Sequence, residues 1–195
     1  KKKFQKSHSS EKGNVNKYEQ CKEYIILEED DLLFLNKPSG MLVHGQASLN
    51  TKVLAYLNNE ENLGLSFQPG PLHRLDRNTS GIITFSKTLY GAQVFSEYLK
   101  QHEIRKTYLA VIEGNLDNEK EFTKNVKHND RIKKSELSSG STGQKAYTRA
   151  IPLFHGNDFC FCVIEIRTGR THQIRAHLAG ANIPLAGDIK YGSNI

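Results

Sequence analysis

A nine-residue segment carries the strongest chemical signal in the sequence. Residues 73–81 read His-Arg-Leu-Asp-Arg-Asn-Thr-Ser-Gly, with Asp76 between Arg74 and Arg77. A Pro-Gly-Pro run precedes the segment and the apolar run 82–85 follows it, which predicts a loop-to-strand junction. A carboxylate at such a junction can face a cleft from a rigid support. These residues alone are equally compatible with a salt-bridged surface turn.

A second basic cluster lies near the end of the chain. Arg167 and Arg170 flank a predicted tight turn, and Thr171 is predicted to cap a helix over residues 172–179. Arg175 lies in this helix. Such a cluster could hold a carboxylate or a phosphate, although a solvated basic helix end would show the same residues.

Metal, nucleotide and serine-hydrolase signatures are missing from the sequence. His172 and His177 are five residues apart, so they do not share a helix face as zinc ligands four apart would. Cys160 and Cys162 alternate with apolar residues and belong to a predicted strand. No GxxxxGK[ST], GxGxxG or GxSxG pattern occurs. These observations argue against a metal site, a nucleotide-binding enzyme and a serine hydrolase.

The elements that position these residues are predicted from hydrophobic patterning. Two apolar runs around the acidic turn 28–31 predict a hairpin, and Thr88 is predicted to cap a helix whose apolar face carries Leu89, Ala92, Phe95, Tyr98 and Leu99. Further elements are a helix at 51–57, a loop at 58–71, and strands at 82–85, 106–114 and 159–166. Strands mostly follow one another, which predicts the α+β class with a mixed, largely antiparallel central sheet and flanking helices.

Composition sets the broad class of protein. The 195 residues, 37% hydrophobic and 25% charged, predict one ordinary globular domain. A net charge of +6 suits a polyanionic partner. The three cysteines do not form a disulfide pattern, and no apolar run reaches membrane-spanning length, so we expect a cytoplasmic protein that does not use a membrane.

Four segments in order resemble the RluA-type pseudouridine synthases. Residues 73–81 are similar to the catalytic motif of that family, and Lys-Thr-Tyr-Leu-Ala-Val-Ile-Glu-Gly at 106–114 is similar to its second motif. The third motif resembles residues 168–175 continued by 183–192. The first strand and loop resemble residues 36–40 with 43–45. The resemblance covers about residues 24–192.

The resemblance implies a pseudouridine synthase catalytic fold with an active-site cleft across its sheet. Such an enzyme isomerises uridine to pseudouridine in structured RNA by breaking the bond from uracil nitrogen to ribose and rejoining ribose to carbon 5. It needs no metal and no cofactor, and we expect it to act as a monomer. The resemblance favours large-subunit ribosomal RNA as substrate. The alternatives are the same chemistry on transfer RNA and a non-catalytic RNA-binding module.

The resemblance also implies residue roles. Asp76 matches the essential aspartate, acting on the ribose either as a nucleophile or as a base that yields a glycal-like intermediate. Arg175 matches the arginine that pairs with this aspartate, and Ile174 the aliphatic residue that packs on the target base. Tyr108 matches the tyrosine that stacks on uracil. Arg74 matches the arginine that enters the RNA helix where the flipped nucleotide was.

The chain departs from the family pattern at both ends. Family catalytic domains usually continue beyond the segment matched by residues 187–192, whereas this chain stops at Ile195, and it begins with Lys1 rather than Met. We therefore expect residues 21–195 to form a catalytic domain lacking its C-terminal end, preceded by a polar tail or linker at 1–20. Lys37 is a weaker candidate, expected either to stabilise its loop or to touch RNA.

Overall fold

A computed structural model describes residues 19–57, 67–139 and 142–194. The chain divides into two compact units, Lys1–Tyr98 and Leu99–Ile195. Most of the predicted tail at 1–20 and of the predicted loop at 58–71 lies outside the described residues.

The first unit is built on a four-stranded antiparallel sheet. Its elements in chain order are α1 (Glu19–Lys22), β1 (Ile25–Glu28), β2 (Leu32–Lys37), α2 (Leu49–Leu57), β3 (Gly70–Pro71), β4 (Gly81–Ser86) and α3 (Leu89–Lys100), which ends in the second unit. The strand order is β1-β2-β4-β3. The predicted acidic hairpin is confirmed as β1 and β2, and the helix predicted at 51–57 is α2, which begins two residues earlier.

Helix α3 begins where the sequence predicts it but buries a different face. The Thr88 hydroxyl accepts a hydrogen bond from the Gly91 amide at 3.1 Å, which confirms the predicted cap. A Cβ at Gly91 would lie 2.5 Å from the Asp31 carbonyl oxygen, so only glycine allows this approach. The buried residues are Gly91 and Phe95, one turn apart, whereas Leu89 is 54% exposed and Tyr98 48%. The predicted apolar face is therefore wrong at Leu89 and Tyr98, because the glycine contact sets the helix orientation.

The second unit contains a four-stranded antiparallel sheet and a separate hairpin. Its elements are β5 (Lys106–Glu113), β6 (Lys120–Phe122), β7 (Asn125–Asn129), β8 (Lys134–Ser138), β9 (Thr148–His155), β10 (Phe159–Ile166), α4 (Gln173–Ala179) and a 3-10 helix (Ile189–Tyr191). The sheet order is β5-β10-β9-β6, and β7 pairs with β8. The predicted strands at 106–114 and 159–166 are confirmed as β5 and β10. Antiparallel sheets flanked by helices confirm the α+β class.

Helix α4 packs on this sheet, and Leu178 joins a core cluster with buried residues of β5, β9 and β10. The predicted Thr171 cap is wrong. His172 is the N-cap residue, in a left-handed conformation (φ 52°), and makes no side-chain capping bond. The Gln173 side-chain oxygen instead accepts from the Thr168 hydroxyl at 2.7 Å and the Arg170 amide at 3.0 Å. The helix ends at Gly180, as expected.

Helix α4 carries a buried histidine, His177. Its side chain is buried, with Nε2 2.8 Å from the Lys124 carbonyl and Nδ1 2.9 Å from the Thr148 hydroxyl. A carbonyl only accepts, so Nε2 carries the proton and Nδ1 accepts from Thr148. Burial lowers the pKa of His177, and the Lys124 carbonyl opposes this effect more weakly.

Because the pKa of His177 is lower folded than unfolded, the unfolded chain binds more protons below its unfolded pKa of about 6.5. We expect the free energy of unfolding to fall more between pH 7.5 and 5.5 in the native protein than in His177→Gln. Urea unfolding at the two pH values measures this difference. The same pH dependence in both proteins would contradict the prediction.

Candidate active site

The loop that carries Asp76 connects β3 to β4 and is anchored at its start. The Leu72 amide donates to the Thr84 carbonyl at 2.8 Å, and the Thr84 amide donates to Nε2 of His73 at 3.1 Å. The His73 ring stacks on Phe95 with 6.1 Å between centroids. Gly81 (φ 126°) begins β4 in a conformation that favours glycine. His73 therefore fixes the loop to the strand through its ring.

Asp76 opens a tight turn in this loop. Its main-chain carbonyl accepts from the Thr79 amide at 3.1 Å, and its neighbour Leu75 is buried. Asp76 is half-buried, whereas Arg74 and Arg77 are exposed. The structure therefore places the acid between two surface arginines, at the predicted loop-to-strand junction.

The segment 38–41 holds the Asp76 turn from one side. Nε of Arg77 donates to the Gly40 carbonyl at 3.0 Å, and the Gly40 amide donates back to the Arg77 carbonyl at 2.8 Å. The Ser39 hydroxyl donates to the Asn78 carbonyl at 2.9 Å. These bonds fix the turn at Arg77 and Asn78, directly after Asp76.

The Lys37 side chain joins the segment 38–41 to the Asp76 turn. Its side chain is fully buried, and its ammonium donates to the carbonyls of Pro38 (3.0 Å), Met41 (2.9 Å) and Arg77 (3.1 Å). Burial lowers the pKa of Lys37, and the nearby Asp76 carboxylate raises it to a smaller extent. Of the two roles expected for Lys37, the structure supports the stabilisation of its loop, and with it the turn that begins at Asp76.

We expect Lys37→Met to destabilise the protein by about 3 kcal/mol, because it leaves three partly buried carbonyl groups without their cationic donor. Turnover should fall as well, since the Arg77 carbonyl is released next to Asp76. The matched control is Ser39→Ala, which removes one exposed bond between the same two segments. Urea unfolding ranks the variants, and equal stability of the two would contradict a central role for Lys37.

The second unit brings Tyr108 and Ile174 to one side of its sheet. Tyr108 in β5 lies opposite Ile164 of β10, and Ile174 projects from α4. Both side chains are partly buried and pack against the same core cluster. Ile174 thus contributes to the core while part of its side chain stays accessible.

Arg175 is held by the carboxylate of Asp188. Its Nε donates to Oδ2 of Asp188 at 2.6 Å and its Nη2 to Oδ1 at 2.8 Å, a bidentate pair. The Arg175 side chain is only 21% exposed and the Asp188 side chain 12%. The guanidinium also lies over the Tyr191 ring, 4.6 Å from its centroid. Arg175 is therefore fixed in direction by two residues of the 187–192 segment.

Tyr191 is itself firmly placed. Its hydroxyl accepts from the Ser135 amide at 2.6 Å and lies 2.9 Å from Nδ1 of His172, while Lys134 approaches its ring at 4.9 Å. Burial raises the pKa of Tyr191, against smaller lowering effects that include Arg175. The ring of the neutral Tyr191 thus packs against the face of the Arg175 guanidinium, while Asp188 binds its nitrogens.

The sequence-predicted residues fall into two groups. Asp76 and Arg74 belong to the first unit, and Tyr108, Ile174 and Arg175 to the second. The expected pair of Asp76 with Arg175 joins the units and stays a prediction.

Sequence reasoning missed Asp188 and Tyr191 as partners of Arg175. A signal was present, because an acid and an aromatic residue stand three apart between two glycines in the quoted segment 187–192. In the part of the chain that the structure describes, no helix is long and apolar enough to cross a membrane, and no group of three or more His, Cys, Asp or Glu side chains is placed to hold a metal ion.

Comparison with known proteins defines the class. A family model described as RNA pseudouridylate synthase matches residues 31–180. Ribosomal large subunit pseudouridine synthase D of Borreliella burgdorferi is 32% identical over 179 residues, covering 86% of this chain and 54% of that protein. Ribosomal large subunit pseudouridine synthase C of Pasteurella multocida is 33% identical, covering 96% of this chain and 58% of that protein. The chain belongs to the RNA pseudouridylate synthase family.

A solved structure supports the fold independently. Human RNA pseudouridylate synthase domain containing 4 superposes with a TM-score of 0.73 at 22% identity, covering 91% of this chain and 72% of that one. At this identity the likeness concerns the fold. The chain spans about half the length of the curated relatives it matches.

Proposed function

We propose that the protein isomerises uridine to pseudouridine in structured RNA, with Asp76 as its reactive carboxylate. The observation that carries the proposal is the placement of Asp76 at the start of a turn that hydrogen bonds from Lys37 and the segment 38–41 hold in place. The family of the chain gives this placement its meaning. A reacting group needs such support, because small displacements of a catalytic atom cost large factors in rate.

The reaction requires one carboxylate and no net addition of water. The bond from N1 of uracil to C1′ of ribose breaks, the base turns, and a bond from C5 to C1′ forms. The proton on C5 leaves to solvent, and N1 gains one. Asp76 assists the departure of the base either by attacking C1′ or by removing a ribose proton. Glycoside hydrolysis, by contrast, normally uses a second positioned carboxylate to activate water.

The residues of the second unit hold the base in this proposal. Tyr108 stacks on uracil, Ile174 packs against it, and Arg175 pairs with Asp76 and directs its carboxylate. A uridine in a stem must leave the helix before its sugar can react. Arg74, exposed beside Asp76, fills the space that the flipped nucleotide vacates.

Large-subunit ribosomal RNA is the substrate that we propose, because relatives that cover most of this chain are ribosomal large subunit enzymes. We place the reaction in the cytoplasm, in line with three cysteines that are all free and buried. The basic net charge suits RNA as the partner.

The test uses RNA transcribed with uridine tritiated at C5. Isomerisation releases the label as tritiated water, so purified full-length protein should release it with time from ribosomal RNA lacking the modification. Mapping pseudouridine in total RNA from cells with and without the gene then identifies the sites. No release from ribosomal or transfer RNA, and identical maps, would overturn the proposed function.

A further inference from the structure

The β7–β8 hairpin of the second unit lies against α4 without belonging to the four-stranded sheet. Ser135 in β8 is the residue through which the hairpin reaches the segments around Arg175. Its side chain is only 1% exposed. A buried hydroxyl needs hydrogen-bond partners, so the partners of Ser135 identify what the hairpin holds in place.

The Ser135 hydroxyl is bonded to the loop that leads into α4. Its Oγ donates to the Thr171 carbonyl at 2.6 Å. Because a carbonyl only accepts, the hydroxyl proton lies on this bond, and Oγ accepts from Nδ1 of His128 at 2.9 Å. Thr171 directly precedes His172, the left-handed N-cap residue of α4. Ser135 therefore fixes the point from which the helix begins, and His128 of β7 orients the serine hydroxyl.

The main chain of Ser135 holds the aromatic ring that packs against Arg175. Its amide donates to the Tyr191 hydroxyl at 2.6 Å. Nδ1 of His172 lies 2.9 Å from the same hydroxyl, and the two rings stand nearly perpendicular with centroids 5.7 Å apart. The Arg175 guanidinium lies 4.6 Å from the centroid of the Tyr191 ring. One residue of β8 thus contacts both the start of the helix that carries Arg175 and the ring against which its charge packs.

Helix α4 is too short to set the direction of Arg175 alone. It has seven residues, Gln173–Ala179, and its N-cap residue His172 makes no side-chain capping bond. Short helices are marginal in water, and their ends depend on the contacts around them. The Leu178 side chain packs in the core near the end of the helix. The bond from Ser135 restrains the start of the helix from a separate element.

We propose that Ser135 is a positioning residue for the reaction, which holds Arg175 in place through Tyr191 and the start of α4. The proposal deepens the proposed function and rests on it. The direction fixed in this way is the one in which Arg175 pairs with Asp76 in the proposed mechanism. A preorganised cation stabilises developing charge better than one that must first be ordered. Turnover therefore depends on the hairpin through Arg175, whereas RNA binding does not.

The first measurement is tritium release by full-length Ser135→Ala and Tyr191→Phe under single-turnover conditions. The alanine removes the bond to the Thr171 carbonyl, and the phenylalanine removes the hydroxyl while its ring still packs against Arg175. We expect each variant to lose about tenfold in rate constant, because a small displacement of a reacting group costs a large factor. The affinity for a fluorescein-labelled RNA hairpin with a uridine at a mapped site should stay within about twofold of native.

Ser138→Ala is the matched control. Ser138 lies in the same strand, but its hydroxyl bonds to that of Thr142 rather than to the segments around Arg175. This variant should keep the native rate constant. Urea unfolding of every variant identifies conditions in which all of them are folded, and the rate constants are compared there.

A double variant separates positioning from a general effect on the fold. In an Arg175→Ala background the residue through which Ser135 acts is gone, so Ser135→Ala should lower the rate constant by less than about twofold further. An equal loss in both backgrounds would mean that Ser135 supports the fold in general, and it would overturn the proposal. Native rate constants in both Ser135→Ala and Tyr191→Phe would do the same.

A measurement without turnover distinguishes this proposal from the isomerase function. The Nε–H group of Arg175, which donates to Asp188, is observed by ¹⁵N NMR, and its signal is assigned by its loss in Arg175→Ala. Its proton should exchange with water about tenfold faster in Ser135→Ala than in the native protein or Ser138→Ala. Faster exchange in a protein that releases no tritium would support the positioning of Arg175 and overturn the isomerase function. Unchanged exchange would overturn the positioning role.

Discussion

The Asp76→Asn variant is expected to lose pseudouridine formation by about four orders of magnitude or more while still binding RNA. The amide has nearly the shape of the carboxylate but is a poor nucleophile and a poor base, so either route from Asp76 is closed. RNA binding should stay within about twofold of native, because the change removes a negative charge near phosphates rather than a cation. Tritium release measures turnover, and the labelled hairpin measures binding.

The matched control is Asp130→Asn, which makes the same substitution at a side chain that is 87% exposed in the second unit. It should keep native turnover. Asp76→Glu tests position as well as charge, because the longer side chain moves the carboxylate by one methylene group on a turn that is fixed by its main chain. Native tritium release by Asp76→Asn would remove Asp76 from the mechanism.

Loss of turnover must be separated from loss of folding. Asp76 interacts favourably with the buried Lys37 ammonium, so the amide makes that cation somewhat more costly to bury. We expect a small drop in the free energy of unfolding, well below that of Lys37→Met. An inactive but folded Asp76→Asn protein then assigns the defect to chemistry.

Local elements of this fold follow from sequence patterns. The acidic turn between two apolar runs predicts β1 and β2, and alternation of apolar residues predicts β10. These patterns succeed because the period of the side chains decides which face each element buries. The prediction that Thr88 caps α3 is also correct, because its hydroxyl needs to reach only an amide three residues later.

Contacts between distant segments do not follow from such patterns. Gly91 turns α3 towards Asp31, and this contact overrides the apolar periodicity of Leu89 and Tyr98. Lys37 reaches a carbonyl forty residues away, and nothing in local spacing reveals which carbonyls converge on its ammonium. The left-handed His172 is stabilised by Tyr191, which also lies in another segment. Family resemblance supplied the candidate residues, but the partners that hold them required the structure.

Arg175→Ala is expected to lose turnover by about a hundredfold to a thousandfold, far more than Arg77→Ala. In the native protein, Asp188 and Tyr191 fix the Arg175 guanidinium, and a preorganised cation stabilises developing charge better than a mobile one. Arg77 is exposed, and its Nε donates to the Gly40 carbonyl. We expect less than about a tenfold loss there. Equal losses in the two variants would argue against a specific pair of Arg175 with Asp76.

Arg175→Ala also leaves the Asp188 carboxylate buried without its bidentate partner, so part of its defect would come from folding. The double variant Arg175→Met/Asp188→Leu removes both charges and replaces them with apolar groups of similar size. Because an uncompensated buried charge costs more than the removal of a whole pair, this variant should be more stable than Arg175→Ala. Its turnover should stay as low, since the cation proposed to direct Asp76 is gone. Recovery of turnover together with stability would instead mean that Arg175 serves the fold alone, and that Asp76 is directed by its own loop and by Lys37.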